Sequence, residues 1–305
     1  MNRLEEIEIE CMQDSWTLMY TFLARTFVDL YGLKGERALR EAIRRFGRDR
    51  GLTNRQRLLD NNIKINLKTL YCEGRDRPGD PRFVQHSPLN TREEKIDWTF
   101  VCPDADLWKA YHCTDVGRIY CEEFHHACYE AFTFDIAKIN LSRTLTQEGD
   151  DRCSFYFTFR AENVPDELKP LCFEEYDPGY VKPRKAMPKP QGKSGFNMLW
   201  IKMYYYMVET AHEYLGEQAQ EAIQAGLTRV AEEHVLYLQK RAASIGQKAD
   251  AGFLTSHLAL RLNSDEEPMW KDYGKFRARQ LLNLNFYTPL YRGLNIQDGR
   301  CRLYD

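Results

Sequence analysis

The 305-residue sequence lacks the features of membrane, nucleic-acid-binding and disulfide-stabilised proteins. It has no apolar run of 18 residues, which argues against a transmembrane helix. Basic and acidic residues number 43 and 45, and no basic half or tail stands out, so we expect no nucleic-acid partner and no membrane partner. The nine cysteines are irregularly spaced without any C-x-x-C pair, and the acidic N-terminus does not resemble a signal peptide. These absences predict free thiols in a reducing cytoplasm.

What the sequence contains is typical of a globular protein, with 43% apolar and 13% aromatic residues. An apolar stripe of helical period runs from Trp16 to Tyr31, and Gly32 follows it as a plausible C-cap. Further helices are predicted over Glu36–Arg50 and from about Asn54 to Tyr71. The arginines of the second helix are most simply a solvated face. The alternative is that some of them close over a substrate carboxylate, because a guanidinium matches that shape.

The chain is organised around residues 98–159, which contain five of the nine cysteines and three of the seven histidines. An extended piece is followed by a helix that begins near Asp115, on which Cys121, His125 and Cys128 share one face. A β-hairpin then follows, with arms at Ile136–Leu145 and Arg152–Arg160. Alternate residues from Cys153 to Phe159 predict a buried face on the second arm.

Cys121 with His125 is the strongest catalytic candidate, because a histidine one helical turn away can take the proton of a thiol. Packing is the alternative, since buried free cysteines are common. Asp115 and Glu122 are candidate general bases or orienting groups. For Asp115, helix capping and the helix dipole explain an acid equally well.

A second group of residues is predicted to bind substrate. As pocket walls the aromatic rings would stack on a flat ring, with polar or thiol groups beside them. The alternative is that the aromatic residues and Cys153 belong to the core, as such residues most often do. These candidates are Trp108, Tyr111, His112, Cys113, Asp150 and Cys153. His112 and Cys113 are expected in an extended stretch, and Asp150 also suits a turn. His112, His125 and a carboxylate would suffice for an open metal site, but nothing has the spacing of H-E-x-x-H, so no metal or other cofactor is predicted.

The C-terminal half changes character after residue 162. Residues 163–195 are rich in proline and predict a linker or wrapping segment, with Phe173, Tyr176 and Tyr180 as anchors. Residues 196–305 predict a helical block, which could be a degenerate, truncated repeat of the N-terminal helices. Strand-like pieces are expected at Gln280–Tyr287 and Tyr291–Ile296.

The motifs of residues 15–160 resemble the L-2-amino-thiazoline-4-carboxylic acid hydrolase family. The resemblance rests on Cys102-Pro103, on Cys121 followed by acids and His125, and on Gly149-Asp150-x-x-Cys153 with alternating aromatics. Weaker similarity links the Gly-Asp-x-x-Cys element to 4-vinyl-reductase-like sensor domains. The family has an acid three residues after the central cysteine, where this chain has Phe124. The resemblance implies ring-opening hydrolysis of a cyclic amidine without a redox cofactor.

Together these observations predict an α+β protein with a helical cap (14–72) on a small antiparallel sheet and site helix (97–160). Residues 1–162 are expected to form this hydrolase-like domain. The predicted function is a hydrolase that opens a small cyclic amidine- or amide-type C–N bond with a cysteine/histidine pair. The alternative is a small-molecule or metal-binding sensor module without turnover. The expected partner is a small-molecule substrate, and homo-oligomer formation is left open.

Overall fold

The computed structural model describes residues 2–70, 76–183, 187 and 192–297. These residues form two compact units, one of Met1–Ala42 with Gly192–Asp305 and one of Ile43–Gln191. The predicted domains follow the order of the chain, whereas these units do not, because the chain leaves the first unit after Ala42 and returns to it at Gly192. None of the helices in the described part of the chain is long and apolar enough to cross a membrane.

Helix α1 (Arg3–Asp60) replaces the three predicted N-terminal helices. It is broken at Gly32, whose φ of 53° and ψ of −128° suit a residue without a side chain. It then continues through Gly51 to Asp60, and residues 61–70 contain turns and no helix. The third helix was therefore predicted to begin and to end too far along the chain; its predicted last residue, Tyr71, lies outside the described residues. A side chain at Gly51 would overlap the backbone of Cys128, so this glycine permits close helix packing.

The first unit packs the first part of α1 with α5 (Gly192–Leu215) and α6 (Ala219–Ser244). A buried contact joins them, in which Ser15 Oγ lies 2.8 Å from His234 Nε2 and accepts a bond from Trp200 Nε1 at 3.3 Å. Short helices complete the unit: α7 (Ala251–His257), α8 (Trp270–Tyr273), α9 (Ala278–Leu282) and α10 (Thr288–Gly293).

The strands predicted in the C-terminal tail were wrong. A π-helical segment, Asn283–Tyr287, joins α9 to α10. Leu282, Phe286 and Leu290 are completely buried, whereas Leu284, two residues after Leu282, is 46% exposed, which is a helical and not an alternating pattern. Pro289 lies in the first turn of α10, directly after the π-helical segment.

The second unit contains a four-stranded antiparallel sheet of order β1-β2-β4-β3. Its strands are β1 (Val84–Asn90), β2 (Glu94–Val101), β3 (Lys138–Arg143) and β4 (Cys153–Thr158). The predicted hairpin is confirmed as β3 and β4, whereas β1 was missed. Strand β1 is an exposed edge with register shifts and a proline, features that mask its periodicity.

Two helices, α2 (Pro103–Ala110) and α3 (Thr114–Phe132), connect β2 to β3. Helix α2 replaces the extended stretch predicted before the site helix. Pro103 begins it, acids occupy its first turn, and Trp108 packs against Tyr120 of α3 with ring centroids 5.9 Å apart. The α+β fold class is confirmed.

A 3₁₀ turn, Ala161–Asn163, leads into the proline-rich segment, which contains α4 (Lys169–Cys172) and a second 3₁₀ turn, Glu174–Tyr176. A third 3₁₀ turn, Gly216–Gln218, joins α5 to α6 in the first unit. Phe173 is buried and stacks on Phe159 with ring centroids 5.6 Å apart. Lys64 Nζ lies 2.6 Å from Asp177 Oδ2, so the segment up to residue 183 packs on its own unit.

Gly117 of α3 allows the close contact with Trp108. A methyl group there would overlap the indole ring. We expect Gly117→Ala to lower the free energy of unfolding by about 1–3 kcal/mol, because overpacking displaces a buried ring. The measurement is the urea midpoint followed by circular dichroism. Arg118→Ala, at the exposed neighbouring position, is the control and should change stability by less than about 0.5 kcal/mol. Equal midpoints for Gly117→Ala and wild type would contradict the packing argument.

Candidate functional site

A cavity of about 310 Å³ lies within the second unit, between α3 and the inner face of the sheet. Alternate residues of β2 and β4 form its floor, and one face of α3 lies opposite them. Arg50 of α1 and residues 76–80 contribute charged groups to the wall. A cavity of this size suits a small molecule.

Helix α3 and the floor of the cavity share one spacing. Four helical residues advance about 6 Å, and two strand residues advance about 6.7 Å, so successive turns of α3 meet successive inward residues of the sheet. His125 packs on Phe155 with ring centroids 4.8 Å apart, and Tyr129 packs on Phe157 at 5.3 Å. In the pairing of β2 with β4, Thr99 lies beside Cys153, Asp97 beside Phe155 and Lys95 beside Phe157.

Three layers of side chains result, and each is named here by its helical member. They are the thiol layer (Cys121, Thr99, Cys153), the histidine layer (His125, Asp97, Phe155) and the tyrosine layer (Tyr129, Lys95, Phe157).

The Cys121 thiol is protonated at rest. Its side chain is 8% exposed, and burial raises its pKa well above the ordinary value, with the Cys153 thiol adding to the effect. Hydrogen bonds with Thr146 and Thr144 lower the pKa without offsetting the burial. Cys102, which also lines the cavity, has its pKa raised by burial and by the charge of Asp104.

His125 is neutral at neutral pH. Burial, helped by the charges of His126 and Arg50, lowers its pKa to about 3. Its Nδ1 lies 3.2 Å from the hydroxyl of Tyr129, whose pKa burial raises well above the usual value. When Nδ1–H donates to the Tyr129 oxygen, Nε2 is left as the proton acceptor. Cys121 and His125 are therefore both uncharged at neutral pH, and not a thiolate and an imidazolium.

Charged side chains of both signs line the cavity. Arg50 holds Asp76 with two hydrogen bonds, of which Nη2 to Oδ1 is 2.8 Å, and both residues are buried. Burial alone would raise the pKa of Asp76, but the charge and hydrogen bonds of Arg50 outweigh it and keep the pKa below its ordinary value. Arg50 also lies over the Phe124 ring at 5.4 Å.

A second charged group lies on the floor. Lys95 Nζ is 3.0 Å from Asp97 Oδ2, and Ser87 Oγ donates to Asp97 Oδ1 at 2.5 Å. Gln85 Nε2 donates to Thr99 Oγ1 at 3.2 Å. Strands β1 and β2 thus supply a polar strip, beside the aromatic surface formed by β4 and α3.

Four of the residues expected from the sequence line the cavity together. They are Cys121, His125, Trp108 and Cys153. The structure also selects Arg50 from the arginines of the second predicted helix.

The other expected residues lie outside the lining of this cavity. Asp115 is exposed, and Glu122 is bound by Arg118 at 2.8 Å on the outer face of α3. His112 is exposed in a turn with φ of 55°, and Cys113 is buried with Sγ 3.3 Å from the Tyr111 carbonyl oxygen. Asp150 Oδ2 accepts a bond from the Thr144 N–H at 2.9 Å, which is a turn-stabilising role.

Sequence reasoning missed Asp76, Arg77, Lys95, Asp97 and Asp104, which line the cavity. The alternation of Lys95, Asp97 and Thr99 was a usable signal for an inward-facing strand. The loop at residues 76–80 carried no such periodicity. Among the described residues, no group of three histidine, cysteine or acidic side chains is arranged to hold a metal ion.

A comparison with protein families matches the part of the chain that contains the cavity lining. Residues 10–157, just under half of the chain, match the family model described as L-2-amino-thiazoline-4-carboxylic acid hydrolase. The chain resembles this hydrolase family. The match covers α3 and all of the sheet except the last residue of β4, and it supports a hydrolase-like function at the level of the family. No curated protein and no solved structure matches the chain.

The lowered pKa of His125 predicts acid sensitivity. The folded-state pKa of about 3 lies below the unfolded value of 6.5, so the unfolded chain binds the proton first and stability falls as the pH drops below 6.5. We expect this residue alone to cost about 1–2 kcal/mol between pH 7 and pH 5. The measurement is urea unfolding of wild type and His125→Gln at pH 5, 6, 7 and 8.

His125→Gln should show a shallower loss of stability from pH 7 to pH 5 than wild type. The comparison at pH 8, where both side chains are neutral, isolates the packing cost of the substitution. Parallel profiles would mean that His125 titrates normally.

The raised pKa of Cys121 predicts a slow thiol. At pH 7.5 we expect alkylation of Cys121 by iodoacetamide to be more than about 10-fold slower in the folded protein than in urea, because the reactive thiolate is scarce. Peptide mass spectrometry follows each cysteine separately. Faster labelling of Cys121 in the folded protein would show that the thiol is ionised.

Proposed function

We propose that the second unit is the catalytic part of a hydrolase that opens a small cyclic amidine- or amide-type C–N bond. The observation that carries the proposal is that Cys121 and His125, on successive turns of α3, line one cavity with charges of both signs. Aromatic side chains of α3 and β4 provide surfaces on which a flat ring can stack. The family match supports the hydrolase class.

In the proposed reaction the Cys121 sulfur bonds to the ring carbon while its proton passes to Nε2 of His125. The ring nitrogen then leaves with that proton as the C–N bond breaks. Water releases the carbon from sulfur, restores the thiol, and the net change is the gain of one water. This sequence requires no redox cofactor and no metal ion.

The acid that supports His125 is proposed to be Asp97 and not Asp115 or Glu122. Asp97 lies in the histidine layer and lines the cavity, whereas the other two face away from it. A carboxylate in this layer offsets the positive charge that His125 gains during proton transfer. Asp104, near Cys102 with Sγ to Oδ2 at 4.0 Å, is placed to attract the cationic end of an amidine.

The second candidate function is a binding module without turnover, and the raised pKa of Cys121 favours it. A neutral thiol beside a neutral imidazole is a weak nucleophile in the absence of substrate. Under this alternative the same cavity holds the ring and releases it unchanged.

The proposed compartment is the reducing cytoplasm. Every cysteine in the described part of the chain is a free thiol, and the proposed reaction requires a reduced Cys121.

The test is turnover of a panel of cyclic amidines, lactams and imides, 2-amino-thiazoline-4-carboxylate among them, followed by mass spectrometry. We expect a product that has gained one water. Cys121→Ala should lower kcat/KM by at least about 100-fold, because the nucleophile is lost.

Cys128→Ala is the matched control, because Cys128 is buried on the same helix but does not line the cavity. It should keep turnover close to wild type. Activity that survives Cys121→Ala but disappears with a chelator would show that catalysis depends on a metal ion and not on the Cys121 thiol. Binding of rings without any product would favour the binding module.

A further inference from the structure

Lys95 is a buried cation on the floor of the cavity with unused donors. The residue is 5% exposed, and it lines the cavity from the inner face of β2. Within the described residues its ammonium makes one ion pair, to Asp97 at 3.0 Å. An ammonium carries three N–H donors, so two remain for a ligand.

The guanidinium groups around the cavity are already engaged with acids. Arg50 binds Asp76 with both arms of its fork, and Arg82 binds Asp80 with Nη2 to Oδ2 at 2.6 Å. Arg77 interacts with the carboxylates of Asp76 and Asp104. A ligand anion at Arg50 would have to compete with a buried ion pair, which is costly to break.

We propose that Lys95, and not an arginine, binds a carboxylate carried by the ring that enters this cavity. The proposal rests on the proposed function, since it names the anion subsite of the same cavity. The contact with Asp97 directs Nζ from the tyrosine layer toward the histidine layer. An anion bound there lies about one layer, 6–7 Å, from the thiol layer, a gap that a small ring with one carboxylate substituent bridges.

Charge pairing also fits a ring that carries both signs. When the carboxylate of the ligand joins Lys95, Asp97 keeps its contact with the same ammonium, and the cationic end of the ring faces Asp104 near the thiol layer, so each buried charge keeps an opposite neighbour. The carboxylate therefore orients the ring as well as adding affinity.

The test measures the preference for a carboxylate, defined as the ratio of the dissociation constants of a ring without and with that group. The probes are 2-amino-thiazoline and 2-amino-thiazoline-4-carboxylate, with thiazole and thiazole-4-carboxylate as a second pair, by calorimetry at pH 7.5. Wild type should prefer the carboxylates. Lys95→Met should reduce the preference about 10- to 100-fold, because a charge-assisted hydrogen bond is lost. Lys95→Arg should keep part of it.

Lys64→Met is the matched control. Lys64 is also buried in the second unit and paired with a carboxylate, Asp177, but it does not line the cavity. It should keep the wild-type preference. Lys95→Gln repeats the test if Lys95→Met does not give a folded circular dichroism spectrum.

The outcomes separate this proposal from the proposed function. A preference unchanged in Lys95→Met and Lys95→Gln, or no carboxylate preference in wild type, would overturn the role of Lys95 even where the panel shows turnover. A Lys95-dependent preference without turnover of any ring would uphold the anion subsite while overturning the hydrolase.

Discussion

The match between the pitch of α3 and the pitch of the sheet is the constraint on which the site depends. Because four helical residues and two strand residues advance by nearly the same distance, each turn of α3 presents one side chain to one inward row of the sheet. Cys121, His125 and Tyr129 therefore meet three rows in order. The close packing of Gly117 against Trp108, and of Gly51 against the backbone at Cys128, holds the helix at this position.

Burial in this arrangement sets the charge states of Cys121 and His125. Two groups without a strong opposite charge are neutral, since burial raises the pKa of Cys121 and lowers that of His125. Asp76 stays ionised because the charge and hydrogen bonds of Arg50 stabilise its carboxylate by more than burial destabilises it. The cavity thus combines an uncharged thiol and an uncharged imidazole with ion pairs at its wall and floor, and a ligand must fit both parts.

The sequence predicted the elements with strong periodicity and missed those defined by tertiary contacts. Helix α3 and the β3–β4 hairpin follow from the spacing of Cys121, His125 and Cys128 and from the alternation after Cys153. Strand β1 lacks alternation because it is an exposed edge, and Asp76 and Arg77 lie in a loop with no period. The acids beside Cys121 in sequence, such as Glu122, were favoured because distance along the chain was the available measure. The sheet instead brings Asp97, on a separate strand, to the floor of the cavity that His125 lines.

A thiol that is unreactive in the empty protein is compatible with catalysis by Cys121. The cost of ionising this thiol is the loss of hydration without a compensating cation, and His125 does not supply that cation because it is neutral. A protonated amidine brings the missing positive charge into the thiol layer, where the low dielectric strengthens its effect. In the proposed reaction, binding would lower the pKa of Cys121 only when the correct ring is present, at the carbon that the thiolate would attack. Under this proposal the empty cavity keeps its cysteine in the less reactive thiol form, and the charge of the substrate becomes part of the catalytic machinery.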